Sequence, residues 1–334
     1  MRCLGVDPGT MSFDFCLLDE HGRVLEATSI PSVEMMANPH LLVEVVRASQ
    51  AQIVVGPSGY GVPTCLLRDA DEETLGRLLP ADEGETPVNE GIRSALRLLR
   101  DEGAPVVFTP GVVHLPTVPA RRKFNRFDMG TADKLAVAFL ALAERVRLNG
   151  TEPERENFAL LEIGYGFTAA LAVRGGRVVD GIGGSMSFGG LNSAGLVDGE
   201  LTYRRGARPY SDLYRHGVSE LADGVPVADW PADGEPAHEL VERALKTVFA
   251  LWPSLPPGSP VVLSGRLAEV PWLAQAVADG LRPYAWVETI ARRVIGVKAA
   301  AEGSARLGLA LMGGSEAALA VHLGIVAEDR IPIL

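Results

Sequence analysis

Gly5-Val6-Asp7-Pro8-Gly9-Thr10-Met11-Ser12 is the stretch on which the reading of this chain turns. The apolar segment RCLGVD runs into it, and SFDFCLLD, which alternates apolar and polar residues, follows it. Asp-Pro-Gly is good turn chemistry by itself, so the plain reading is a hairpin between two strands. The same turn has the makings of an anion site. Gly9 lets the backbone approach a ligand closely, turn N–H groups face outward, and Thr10 and Ser12 offer hydroxyls. Asp7, at the strand end, is placed to hold Mg²⁺, usually through water.

Outward from that hairpin, Glu20-His21-Gly22 reads as a second turn and RVLEATSIP as a third strand, which makes an antiparallel meander. A helix is expected from about Leu41 to Ser49, then a strand in QIVVGPSG. The acidic stretch from Asp69 to Glu90, with Pro80 and Pro87, reads as helix fragments and a surface loop. Asn89 looks like the N-cap of a helix carrying Ile92, Leu96 and Leu99 on one face, stopped by Gly103 and Pro105. VVFTPG is a further strand, and the helix from Thr131 to Val146 is apolar nearly all round, as a helix buried between layers must be. RLNGTEPEREN is polar and turn-rich, and the domain boundary is expected there, giving units 1–150 and 151–334.

The second half repeats the first. With Glu162 placed on Asp7, Asp-Pro-Gly, an apolar strand and Gly22-Arg23-Val24 match Glu-Ile-Gly, an apolar strand and Gly176-Arg177-Val178. The acid-to-glycine spacing is 15 in one copy and 14 in the other, a difference of one turn residue. A helix near Leu240–Leu251, the strand PVVLSG, and helices at Pro271–Ala278 and Lys298–Met312 continue the parallel. Strand pairs joined by hairpins and strand pairs joined by helices together imply an α/β fold with mixed sheets.

Composition narrows the function classes. The 334 residues suffice for two domains; 47% are apolar and 22% charged, which is ordinary for a globular chain. The net charge of -11 disfavours a nucleic-acid partner, whose phosphates call for a basic surface. Cys3, Cys16 and Cys65 form no C-x-x-C pair; two fall in the first strands, where a thiol is a small buried hydrophobe, and a reducing, cytoplasmic setting is expected. Apolar runs such as LAVAFLALA are too short to cross a bilayer, so no membrane partner is expected. The histidines are scattered, and neither G-x-S-x-G nor the P-loop pattern occurs.

GVDPGTMS resembles the first phosphate loop of the actin-like ATPase superfamily, and EIGYGFT its second. VVLSGRLAEVPWLAQAV resembles the adenosine segment, while MGTADKLAVAFLAL and AAEGSARLGLALMGG resemble the two connecting helices. The five segments occur in the family order over nearly the whole chain. MGTADKL, VVDGIGGSMSF and SAGLVDGELTY are most similar to the family described as predicted butyrate kinases, DUF1464. The resemblance implies an α/β fold of duplicated ribonuclease H-like domains, each with a mixed five-stranded sheet, and a nucleotide cleft between them. It implies ATP and Mg²⁺ as cofactors. Gly9, Thr10 and Ser12 would face the phosphates from one side, and Gly164, Tyr165, Gly166 and Thr168 from the other. Gly265 would pass close to the adenosine, with Ser264 and Arg266 beside it. Glu162 stands where the family commonly has Asp, one methylene longer, and with Asp7 would serve the metal. Gly303 and Gly308 read chiefly as helix-packing positions.

For the acceptor, Arg121-Arg122-Lys123-Phe124-Asn125-Arg126 gathers four cations in an acidic chain. They are either a solvated loop or a clamp for an anionic substrate, with Arg122 the candidate. Phe127-Asp128-Met129-Gly130-Thr131 is loosely similar to a Phe-His-Gly-Thr segment of acetate kinase. Asp128 is the first candidate for a base, and Asp133, in the first helical turn, the second. The Gly/Ser-rich loop from Gly181 to Glu200 reads as either a closing loop or decoration. The leading expectation is an ATP-dependent small-molecule kinase, acting on a short-chain carboxylate in the manner of a butyrate kinase. A sugar or polyol kinase and a nucleotide-dependent regulatory module remain as alternatives, and a homodimer is compatible with each. The related carbamoyl-transferring enzymes keep metal-binding histidines that this chain lacks.

Overall fold

In the computed structural model, which describes residues 1–79, 87–206 and 210–334, the meander is formed by β1 (Arg2–Pro8), β2 (Ser12–Asp19) and β3 (Val24–Pro31). Helices α1 (Ser32–Ala37) and α2 (His40–Ser49) lead to β4 (Ile53–Val55), and β5 (Cys65–Leu66) and α3 (Glu72–Leu78) follow. Residues 80–86, the middle of the acidic stretch read as a loop, lie outside the described residues. Then come α4 (Pro87–Asp101), β6 (Val106–Phe108), the short α5 (Ala120–Lys123) and α6 (Ala132–Asn149). The first sheet has the order β3-β2-β1-β4-β6-β5.

The second half begins with β7 (Phe158–Ile163), β8 (Thr168–Arg174) and β9 (Arg177–Ile182). After α7 (Gly199–Arg205) and α8 (Glu235–Phe249) come β10 (Val261–Ser264), α9 (Pro271–Leu281), β11 (Val287–Thr289), α10 (Ala299–Leu311) and α11 (Ala317–His322). Its sheet has the order β11-β10-β7-β8-β9. Setting β1 on β7 makes β3-β2-β1-β4-β6 coincide with β9-β8-β7-β10-β11. In both, the two hairpin pairs are antiparallel and the helix-linked pairs parallel.

The likeness extends to defects. The ladder between β2 and β3 slips at Leu17/Leu18, and that between β8 and β9 at Ala172/Val173. The odd residue lies in the next turn. Glu20-His21-Gly22 puts three residues between Asp19 and Arg23, ending on a left-handed Gly22, whereas Arg174 pairs with Arg177 across Gly175-Gly176 alone. Both of those glycines have positive φ, as a tight two-residue hairpin requires.

Two corrections to the sequence reading follow, and one strand that it did not locate. The first sheet has six strands rather than five, because Cys65–Leu66 pairs antiparallel with β6 at its edge. The fifth strand of the second sheet, β11, is only three residues long and leaves no readable alternation. Helix α4 starts at Pro87, so Asn89 lies inside it and is not its cap; proline's fixed φ suits a first helical position.

The layers run from α2 and α4, over the first sheet, through a central pair α6 and α10, to the second sheet and α8 and α9. The central helices cross over: α10, from the second half, lies on β1, β2 and β4. Gly5 and Gly308 permit this. A Cβ on Gly5 would stand 2.2 Å from the Ala301 carbonyl oxygen, and one on Gly308 2.2 Å from Cys3 Sγ. Gly303 lets α10 meet α6, since a Cβ there would come 2.3 Å from the Ala136 oxygen. Cys3 and Cys16 are buried in this central core. No helix among the described residues is long and apolar enough to cross a membrane.

Candidate active site

The two strands that leave the sheet centres, β1 and β7, end at the same place. Each runs into a four-residue turn closed by one backbone hydrogen bond, Gly9 N–H to Ser12 O at 3.0 Å and Gly164 N–H to Phe167 O at 2.9 Å. The tips face each other: a Cβ placed on Gly166 would lie 2.8 Å from Thr10 Oγ1. Both turns line one cavity of about 550 Å³. Asp7, Gly9, Thr10 and Ser12 line it from the first half, and Glu162, Gly164, Tyr165 and Gly166 from the second. Ser264, Gly265 and Arg266 join them from the end of β10. Gly265 has φ 97°, and a Cβ there would sit 2.4 Å from the Ile163 oxygen, so the turn after β10 is pressed against the end of β7.

Two expected residues lie elsewhere. Thr168 is wholly buried behind the turn and does not line the cavity. It pairs with Ile163, one residue on from Glu162, and successive strand residues point to opposite faces. Arg122 is also absent from the lining, as is every residue of 121–126. Its guanidinium donates to the Val179 carbonyl at 2.7 Å and faces Asp180 at 3.5 Å, which ties α5 to β9. Lys123 donates to the Leu115 carbonyl at 2.7 Å. Arg122 and Lys123 are thus engaged with β9 and Leu115 and not with the cavity.

Two lysines that the sequence reading did not single out reach the cavity instead, together with Arg266, which it did. Lys298, the residue before α10, places Nζ 2.6 Å from Asp7 Oδ2 and 3.2 Å from Asp14 Oδ2. Lys134, in the first turn of α6, places Nζ 2.9 Å from Glu162 Oε1 and 2.5 Å from Asp133 Oδ2. Arg266 donates to Ser12 Oγ at 3.2 Å and faces Asp14 Oδ2 at 3.6 Å. Asp14 is itself wholly buried on β2, directly across the ladder from Asp7.

Burial dominates the electrostatics of the acids. It pushes the Asp7 carboxyl above the ordinary range, with Lys298 pulling the other way. It does the same to Glu162, with Lys134 opposing, and to Asp128, whose bonds from the Gly130 and Ser185 N–H groups offset it only in part. Asp133 differs: against its burial, Lys134 and the Thr131 hydroxyl hold it below the usual range, so it is ionised near neutral pH. Burial works against both ammoniums, yet Asp133 and Glu162 keep Lys134 charged, and Asp7 and Asp14 keep Lys298 charged. Asp128 and Asp133 both line the cavity. Asp128 is clamped, taking the Gly130 N–H at 2.9 Å and the Ser185 N–H and hydroxyl at 3.4 Å.

The donor set fits a Mg-nucleotide. Glu162 Oε2 and Ser264 Oγ are buried without a hydrogen-bond partner, and four carboxylates (Asp7, Asp14, Asp133, Glu162) gather round two ammoniums. That excess of negative charge suits a divalent cation. No three His, Cys, Asp or Glu among the described residues converge as a ready metal cage. Mg²⁺ carried on a nucleotide needs only one or two carboxylates, with phosphate and water completing its shell.

A family model described as "Protein of unknown function (DUF1464)" matches residues 5–331. Among solved structures, the chain is similar to an acetate kinase from Porphyromonas gingivalis, with a TM-score of 0.58, 12% identity and coverage of 91% of this chain and 98% of that one. It is similar to a propionate kinase from Francisella tularensis, with a TM-score of 0.57, 13% identity and coverage of 91% and 98%. A glucokinase of the ROK family from Streptomyces griseus, solved with glucose and AMPPNP, gives 0.51, 16% identity and coverage of 92% and 99%. These likenesses show that the chain shares the fold of those kinases. A comparison with curated protein sequences finds no match.

Proposed function

The chain belongs to the DUF1464 family, and from that premise we propose that it is an ATP-dependent small-molecule kinase working in the cavity between its halves. The observation that carries this is the meeting of two like turns, with Gly166 against Thr10, on one cavity of about 550 Å³. Residues 1–150 and 151–334 serve as its two domains. Ser264, Gly265 and Arg266 line the adenosine end, and Gly9, Thr10, Ser12, Gly164, Tyr165 and Gly166 hold the phosphates. Phosphoryl transfer rests on positioning and charge neutralisation, which two opposed sets of turn N–H groups supply. Mg²⁺, held by Asp7 and Glu162, would neutralise phosphate oxygens when bound.

We place the acceptor against the lining that Met36, Leu78, Leu79 and Ile92 contribute, with Ser58, Tyr60 and Thr109 as its polar residues. The apolar wall favours an aliphatic tail, as a short-chain carboxylate has. A carboxylate acceptor also needs a cation; the stretch 121–126 does not supply one, and the lysines that line the cavity, Lys134 and Lys298, each already face two carboxylates. A hydroxyl acceptor needs an ionised carboxylate within hydrogen-bond reach. Both acids line the cavity: Asp133 is held below the usual range by Lys134 and Thr131 and is ionised near neutral pH, while burial raises Asp128, whose oxygens take the Gly130 and Ser185 N–H groups. We therefore place a hydroxyl acceptor with an apolar body first, with Asp133 as its base, and a short-chain carboxylate second.

The deciding experiment measures ADP release from Mg-ATP alone and with panels of short-chain alcohols, polyols, sugars and carboxylates. Acceptor-dependent turnover supports the kinase, and the responding panel fixes the class. Tight Mg-ATP binding that no acceptor stimulates would make the chain a nucleotide-dependent module instead.

A further inference from the structure

We propose that Lys298 and Lys134 are the phosphate-holding cations of this site, one for each turn, each supplied by the half opposite to the turn it serves. The inference rests on the reading of the cavity as a nucleotide site.

Lys298 is anchored at the start of α10 in the second half, yet its ammonium lies inside the curve of the first turn. It donates to the Ser12 oxygen at 3.2 Å and the Asp7 oxygen at 3.4 Å, and a Cβ on Gly9 would be only 2.2 Å from it. Lys134 belongs to α6 of the first half and meets the acid of the second turn, Glu162. The exchange is reciprocal because α6 and α10 are the two helices that lie between the sheets.

The competing reading is that each lysine only neutralises a buried acid. The molecule shows what that arrangement looks like. Arg306 of α10 and Glu144 of α6 pair deep between the helices, with side chains 5% and 2% exposed. Lys298 and Lys134 keep 21% and 17% of their side chains exposed, and both face the cavity. A lysine ammonium is a compact charge on a flexible stem, so rotation of its outer bonds carries it from a carboxylate to a neighbouring phosphate. With a divalent cation on Asp7 and Glu162, each ammonium would lose one of its two carboxylates and an incoming phosphate oxygen would take that place, while Asp14 stays with Lys298 and Asp133 with Lys134. No buried charge is left uncompensated, which a departing lysine without a new partner would cause.

The two positions assign different tasks. Lys298 touches the turn that holds the nucleotide in both substrate and product. Lys134 adjoins Asp133, beside the acceptor, and so meets the transferring phosphoryl group. The test is calorimetric titration of Mg-ATP and Mg-ADP, with steady-state turnover, on wild type, Lys298→Met and Lys134→Met. Lys298→Met should weaken both nucleotides by about 10-fold or more. Lys134→Met should cut turnover about 100-fold while shifting nucleotide affinity by less than about threefold. Lys298→Met strands two buried acids, so the charge-balanced Lys298→Met/Asp14→Asn is titrated beside it. In wild type, Mg-ATP should protect Lys134 and Lys298, but not the exposed Lys246, from acetylation read by mass spectrometry. If wild type binds no nucleotide, the reading of the cavity fails. If wild type binds while the variants match it and neither lysine is protected, the reading stands and the lysine assignment is overturned.

Discussion

The two turns share a backbone and differ in the charges set behind it. Behind the first, Asp7 and Asp14 stand opposite each other and draw Lys298 and Arg266 across the cleft. Behind the second, Glu162 stands opposite Ala169, and Lys134 alone meets it across the cleft. The two halves keep one turn geometry, closed by Gly9 N–H to Ser12 O and by Gly164 N–H to Phe167 O, while the charges behind it differ. The first turn carries a four-membered ionic cluster, rigid and costly to disturb. The second carries a longer acid that lines the cavity and has an unpaired oxygen, Oε2; the unpaired oxygen behind the first turn, Oδ1, belongs to Asp14, which does not line it. A cleft that holds a phosphate chain and also lets product go is served by one firm side and one adaptable side.

The strongest way to break that comparison is to remove one acid at a time. Asp7→Asn should lower Mg-ATP turnover by at least about 100-fold in a folded protein. Glu162→Gln, at the adaptable side, should cost about 10-fold. Equal losses in steady-state kinetics would erase the distinction between the turns. Next in size are two glycines. Gly265→Ala forces a side chain onto φ 97° against the backbone of Ile163, and thermal unfolding should show a loss of about 1–3 kcal/mol. Gly166→Ala meets only the rotatable Thr10 hydroxyl, so stability should move by less than about 0.5 kcal/mol while Mg-ATP affinity falls severalfold.

A pH series sharpens the same point. The raised carboxyls of Asp7 and Glu162 keep protons that the unfolded chain has already lost. Their contribution to stability is therefore lost as pH rises from the ordinary carboxylate range through their raised values. Mg-ATP binds the ionised form, so the increase in melting temperature it causes should grow with pH across that window. An increase independent of pH would remove both acids from the metal. The smallest effect belongs to Arg122→Ala, which should leave both KM values within about twofold and cost about 1 kcal/mol or less, as a partly exposed pair does. A selective rise in the acceptor KM would return the basic stretch to the site.

The meander and its repeat could be read in the sequence because strand alternation and turn glycines are local signals, and Gly22 and Gly176 mark their turns by conformation alone. The turn residues on the cavity were readable for the same reason. Thr168 was not, because its face depends on the register between β7 and β8. Arg122 misled because charge density says nothing of direction, and its partner Asp180 lies far along the chain on β9. Lys134 and Lys298 meet acids 28 and 291 residues away in sequence, at Glu162 and Asp7, and only the crossing of α6 and α10 brings them there. Asp14 read as one polar residue in an alternating strand, and its burial against Lys298 is a fact of packing.

The central claim is that two half-molecules share one phosphate chain. A crystal structure with Mg²⁺ and a non-hydrolysable ATP analogue tests it most directly. Phosphate oxygens within hydrogen-bond distance of N–H groups from both 9–12 and 164–167 are the predicted result. A nucleotide held by one turn alone, or bound outside the cavity, would contradict it.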